Sequence, residues 1–164
     1  MKLAALVILA ASRAAAAHPQ PAAMPVLPSY VRMIAVEAAR AYQPKGWPPS
    51  APTFQALLEA VLLVESSGCQ HMHGVDPRAH GCMQIHEQTA CDFLGFRVSP
   101  WMLGHDWDLN IRLAADMMRF YWNQTHSWRR MLSMYHQGQY YSGIDWPYVR
   151  KIIVVIQRIY KHKD

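Results

Sequence analysis

The chain has 164 residues, 52% of them apolar, which is enough for one ordinary domain with one hydrophobic core and leaves little room for a second. Its formal charge of +5, from 16 basic and 11 acidic residues, is mildly basic. The Lys and Arg residues are not clustered as a nucleic-acid footprint requires, so an anionic polymer such as cell wall is the better match.

Residues 1–17 read as a secretory signal peptide, with Lys2 near the start, an apolar run from Leu3 to Ala11, and Ala15-Ala16-Ala17 as a small-residue cleavage pattern before His18. Arg13 departs from that pattern. The apolar run is far short of the roughly 20 residues that span a bilayer, so cleavage rather than anchoring is expected. Loss of Lys2 and Arg13 leaves 14 basic against 11 acidic residues, an excess of +3. No later segment is long and apolar enough to be a span, and the expected location is periplasmic or secreted.

Residues 18–28, with prolines from Pro19 to Pro28, form an extended lead-in to a single domain over 29–164. Ser29 is placed to cap a helix reaching about Tyr42, with Val31, Ile34, Ala35 and Ala38 as its apolar stripe. Pro44, Gly46, Pro48 and Pro49 stop it. A second helix, capped by Ser50 or Thr53, repeats Phe54, Leu57, Leu58, Val61 and Leu62 until Gly68 ends it. Residues 69–83 read as a loop with room for a short hairpin, and a short helix near 86–94 ends at Gly95. Further helices are expected from Asp108 to about Gln124, from Ser127 along Trp128, Met131, Leu132 and Tyr135, and after a cap at Asp145 along Val149, Ile152, Ile153, Ile156 and Tyr160. Strand-like alternation is nearly absent, so the expected fold class is mainly α.

Three cysteines, Cys69, Cys82 and Cys91, allow three different disulfides and leave one thiol over in a monomer. No Cys or His pair has zinc-site spacing, and His71, His73 and His80 fit a polar loop better than a metal site.

Glu65 follows Leu58, Val61 and Leu62 by seven, four and three residues, which places its carboxyl on the apolar stripe of the second helix. Burial disfavours the ionised form, the condition a carboxylic acid needs to donate a proton near neutral pH. Spacing alone equally allows a helix-end glutamate turned to water. Glu59 falls off the stripe and is expected to be a solvated surface charge.

The segments Val64-Glu65-Ser66-Ser67-Gly68, Gly81-Cys82-Met83-Gln84-Ile85 and Thr89-Ala90 resemble the catalytic region of soluble lytic transglycosylases, lysozyme-like enzymes that cleave peptidoglycan. Asn110-Ile111 with Ala114-Ala115, Met134-Tyr135-His136-Gln137-Gly138, and Tyr148-Val149 with Lys151-Ile152 extend the resemblance, in the family's order, over roughly residues 50–155. It implies a goose-type, lysozyme-like helical fold, with Glu65 as catalytic acid and base. It further implies a sugar-contacting Gln84, a Tyr135 beside the glutamate, Met83 and Tyr148 lining or supporting the cleft, and Ser66 among the substrate-binding residues. Three departures from the family stand out: Gly74 and Val75 occupy the region where a loop serine is usual, Cys82 replaces a leucine and His136 an asparagine.

The implied reaction cleaves the MurNAc-GlcNAc β-1,4 bond of peptidoglycan glycan strands without a cofactor. Glu65 protonates the bridging oxygen, and the muramic-acid 6-hydroxyl then attacks the anomeric carbon to give a 1,6-anhydro product. The substrate's acetamido oxygen stands in for a second carboxylate. Two alternatives remain open. A hydrolytic lysozyme would need a second acid, for which Asp76 is the first candidate ahead of Glu87, Asp106 and Asp108. A non-catalytic peptidoglycan-binding protein would keep the fold as a clamp, although an idle carboxylate on an apolar stripe would destabilise it. Small size further suggests service to a secretion or conjugation apparatus that needs local gaps in the wall.

Overall fold

The structure is a computed structural model and describes residues 26–71, 76–138 and 140–160. Residues 1–17, expected to be a signal peptide, most of the proline-rich lead-in, and Gly74 and Val75 lie outside the described residues.

Seven helices and one two-stranded hairpin make up the described fold, which is mainly α. They are α1 (Ser29–Ala41), α2 (Phe54–Ser66), β1 (Ala79–His80), β2 (Ile85–His86), α3 (Glu87–Leu94), α4 (Pro100–His105), α5 (Trp107–Thr125), α6 (Trp128–Gln137) and α7 (Trp146–Tyr160). Among the described residues no helix is long and apolar enough to cross a membrane.

The caps at Thr53 and Asp145 follow the sequence, and Asp106 adds a third. Thr53 accepts from the Ala56 amide at 3.1 Å, Asp106 from the Leu109 amide at 2.9 Å, and Asp145 from the Tyr148 amide at 3.2 Å. Ser29 does not act as a cap, because Pro28 occupies that position and Ser29 is the first helical residue. The helix α4 has no counterpart in the periodicity reading, since six residues are too few to show a repeat; Ser99 caps it and Pro100 opens it.

The helix packing closes into a ring in which α2 contacts α1 and α7, α5 contacts α1 and α6, and α6 contacts α7. Within this ring α2 is buried along nearly its whole length, with ten of its thirteen residues buried. An all-round apolar helix is an interior helix, so the solvent-facing side expected for Glu59 does not exist. Glu59 is 1% exposed. Its carboxylate accepts from Gln55 at 2.7 Å, Arg32 at 3.4 Å and Tyr160 at 3.3 Å, which ties α1, α2 and α7 together and offsets the burial of a charge.

Beyond α2 the chain must reverse within a few residues. Ser67, Gly68 and Cys69 all have positive φ, and the amides of Ser67 and Gly68 return to the Leu63 and Leu62 carbonyls. Cys69 is bonded to Cys82, one of the three pairs the sequence allows, and Cys91 is left as the free thiol. The bridge closes a loop of 13 residues, for which loop-closure entropy alone is worth about 3 kcal/mol. It fastens the exit of α2 to the hairpin turn between β1 and β2.

That turn is held by Asn110, which is fully buried on α5. Its side chain accepts from the Met83 amide at 2.8 Å and donates to the His80 carbonyl at 3.1 Å. Gly81 sits against it with φ +74, and a Cβ there would lie 2.1 Å from the Leu103 carbonyl oxygen and 2.7 Å from the Asn110 amide. Backbone strain and overlap act together at this position, so Gly81→Ala is expected to destabilise the fold by about 3 kcal/mol or more. A urea midpoint within error of the wild type would contradict that packing.

Candidate functional site

Glu65 stands in the last turn of α2, where the helix leaves its most buried stretch, and is itself half-buried. Its Oε1 accepts a hydrogen bond from the Tyr148 hydroxyl at 2.6 Å. Burial pushes the carboxyl above its ordinary range, while the Tyr148 hydrogen bond and the Lys151 charge pull the other way, as His136 does whenever it is protonated. Burial wins, so the neutral acid persists to higher pH than in a solvated glutamate. Tyr148 is buried and held well above the ordinary phenol range, first by burial and then by the Glu65 charge, so it remains a donor to the carboxylate.

The position of Tyr148 is set by Asp145, the residue before α7. The Asp145 backbone amide donates to the Ser133 hydroxyl at 2.8 Å, and its Oδ1 caps α7 through the Tyr148 amide. Its Oδ2 faces the end of α6, accepting from Gln137 Nε2 at 2.6 Å and lying 2.8 Å from His136 Nδ1. These bonds hold the carboxyl below its ordinary range, the Gln137 amide first among them, and so keep it ionised. The His136 ring stacks on Tyr148 at 4.2 Å with an interplanar angle of 8°. One phenol therefore has Glu65 at its hydroxyl and His136 on its face.

His136 also lines a cavity of about 130 Å³ with Gln84, Thr89, Tyr121, Tyr135 and Gly138 among its neighbours. A larger groove of about 630 Å³ shares Thr89, Tyr121 and Gly138 with it and continues past Phe93, Phe120 and Tyr140. Glu65 is not among the residues lining either space; it reaches the first through Tyr148 and His136.

The expected site residues divide. Glu65, Tyr148 and Tyr135 come together, with Tyr135 buried near enough to Glu65 for the carboxylate charge to raise its phenol. Tyr148 bonds Glu65, and the Tyr135 hydroxyl donates to the Met83 carbonyl at 2.7 Å. Gln84 lines the cavity, and its side-chain amide donates to the Gly81 carbonyl at 2.8 Å. Met83 supports the site through its backbone only, because its side chain is fully buried in the core. Ser66 is no substrate contact: it is 1% exposed, donates to the Leu62 carbonyl and accepts from the Cys69 amide.

None of the suggested second carboxylates pairs with Glu65. Asp76 is taken by Arg78, which bonds both its oxygens and holds it well below the usual carboxylate range, with His86 at 3.3 Å. Asp106 caps α5 and Asp108 pairs with Arg112, while Glu87 lines a different cavity with Pro77 and Arg78. The carboxylate that does join the site is Asp145, read in the sequence only as a helix cap. His136 and Asp145 are nine residues apart across a loop, a spacing with no periodicity to mark it. Among the described residues no group of three or more His, Cys, Asp or Glu side chains could hold a metal ion.

Comparison with family models, with curated proteins and with solved structures gives no match.

A carboxyl raised by burial gives folding a defined pH dependence. The stability it contributes is fully present below the unfolded-state value and is lost as pH rises through the folded-state value. Glu65→Gln carries no charge at any pH, so it is expected to exceed the wild type in stability at about pH 8 and to lose that advantage near about pH 3.5. Urea midpoints at the two pH values decide this; an advantage of equal size at both would mean that ionisation of Glu65 is not what the fold resists.

Proposed function

We propose that the chain is a lytic transglycosylase of lysozyme-like fold that cleaves the MurNAc-GlcNAc β-1,4 bond of peptidoglycan with formation of 1,6-anhydro-MurNAc. The observation that carries this reading is Glu65, a carboxyl raised above its ordinary range by burial at the end of α2 and addressed by a single phenol from α7. It stands within a run of motifs in the family's order.

Each feature has a chemical use. A neutral acid can protonate the bridging oxygen as the glycosidic bond breaks, and the Tyr148 hydrogen bond then stabilises the carboxylate that remains. Gln84 and Tyr135 supply polar groups to the adjoining cavity, and the groove beyond it offers Phe93, Phe120 and Tyr140 as surfaces for further sugars. Because Arg78 occupies Asp76, the acid first suggested for a hydrolytic lysozyme is not held ready to position water, which favours internal attack by the 6-hydroxyl. The Cys69–Cys82 bridge is compatible with export to an oxidising compartment, where glycan strands would be the partner. Service to a secretion or conjugation apparatus belongs to the same proposal.

Digestion of purified peptidoglycan by the protein lacking residues 1–17 is expected to release anhydro-muropeptides, one water lighter than hydrolytic products. Glu65→Gln should reduce the rate at least about 100-fold, the usual scale of lost acid catalysis. Products bearing reducing muramic-acid ends would reassign the protein as a lysozyme. Binding without products from the wild type would favour the clamp.

A further inference from the structure

In the reaction just proposed, two protons move: one to the departing oxygen, one from the attacking hydroxyl. The family resemblance assigns both to Glu65. The site contains a second group built for proton transfer, and it sits where the chain departs from the family, at His136.

Asp145 determines what His136 can do. As an ionised carboxylate it only accepts, so the imidazole nitrogen 2.8 Å from its Oδ2 must be Nδ1 bearing hydrogen. Gln137 Nε2 donates to the same oxygen at 2.6 Å, and its 3.2 Å approach to Nδ1 is then a close contact between neighbouring donors. In the neutral ring Nε2 then carries the lone pair. Asp145 is itself anchored through its amide to Ser133 and through Oδ1 to the start of α7, and it is 9% exposed. The ring it orients is flat against Tyr148 and lines the cavity beside Gln84 and Tyr135. A carboxylate fixing the tautomer of a histidine that faces a cleft is the arrangement that makes histidine a base in acyl-transfer enzymes.

We propose that His136, oriented by Asp145, is the base that takes the proton from the attacking hydroxyl, and that Glu65 serves as acid alone; this rests on the glycan-cleaving reading above. In the first step the Glu65 proton passes to the bridging oxygen. The bond from that oxygen to the anomeric carbon breaks with its electron pair on oxygen, while the substrate's acetamido oxygen bonds to the anomeric carbon. In the second step the 6-hydroxyl proton passes to His136 Nε2 and the hydroxyl oxygen bonds to the anomeric carbon. The acetamido oxygen departs with its electron pair and the amide is restored. Glu65 is then a carboxylate and His136 an imidazolium. Transfer of one proton between them through solvent resets both, so the cycle consumes and releases none.

Glu65, Tyr148 and Asp145 are the ionisable groups that face His136 from α2, α7 and the residue before it, with Tyr135 its neighbour on α6 and Lys151 acting on Glu65 from α7. During the cycle the imidazolium forms while Glu65 is anionic, on the other side of one phenol. That pairing stabilises the intermediate charge distribution.

Two measurements test the assignment. Nitrogen-15 NMR of the wild type should show neutral His136 protonated at Nδ1 and bare at Nε2, with Asp145→Asn relaxing that preference; hydrogen on Nε2 in the wild type would overturn the proposal whatever the activity. On peptidoglycan, His136→Asn should lower kcat about 100-fold with KM within about twofold, and added imidazole should partly restore His136→Ala. A wild type that releases anhydro-muropeptides while His136→Asn matches it would overturn the base and leave the glycan reading standing. A wild type that releases no muropeptides would remove both.

Discussion

The hydrogen bond from Tyr148 to Glu65, 2.6 Å long and joining residues 83 apart in sequence, is the contact on which the arrangement of the site depends. It exists because α2 and α7 pack side by side and because Asp145 starts α7 at a fixed point. Asp145 in turn is fastened to α6 through Ser133, His136 and Gln137. Three helices are thus referenced to one carboxyl, and a shift of any of them would move the phenol away from it.

Two opposing demands meet at Glu65. Burial at the end of α2 disfavours the charge and raises the carboxyl above its ordinary range; the Tyr148 phenol and Lys151 favour the ionised form. A fully enclosed carboxyl would hold its proton and be unable to reach substrate. Placement in the last turn of the helix, followed at once by the reversal at Ser67 to Cys69 and the bridge to Cys82, brings it to the boundary between the two environments. The same bridge carries the hairpin turn with Met83 and Gln84 to the site, where the Met83 carbonyl takes the Tyr135 hydroxyl.

The helical repeats were legible because each of the longer helices turns an apolar face to a common core, and Thr53 and Asp145 announce helix starts by side-chain chemistry, whereas the cap at Asp106 emerges only in the structure. Glu59 was misread for a related reason: counting positions on a stripe assumes that the opposite face meets water, and α2 is enclosed by its neighbours. Ser66 and Met83 sit beside the important residues in sequence but turn into the core, an orientation set by the tight turns at either end of the 69–83 loop. The pairing of His136 with Asp145 is a tertiary event. A capping aspartate uses one oxygen for its helix, and only the folded chain reveals what its second oxygen meets.

The most direct test of the central claim, that Glu65 delivers a proton to a glycosidic oxygen, is a crystal structure of the Glu65→Gln protein with a peptidoglycan glycan strand. A bridging oxygen is expected within hydrogen-bonding distance of the side chain at position 65, with the strand running along the cavity lined by Gln84, Tyr135 and His136. A strand bound elsewhere on the surface, with position 65 touching no sugar, would contradict it.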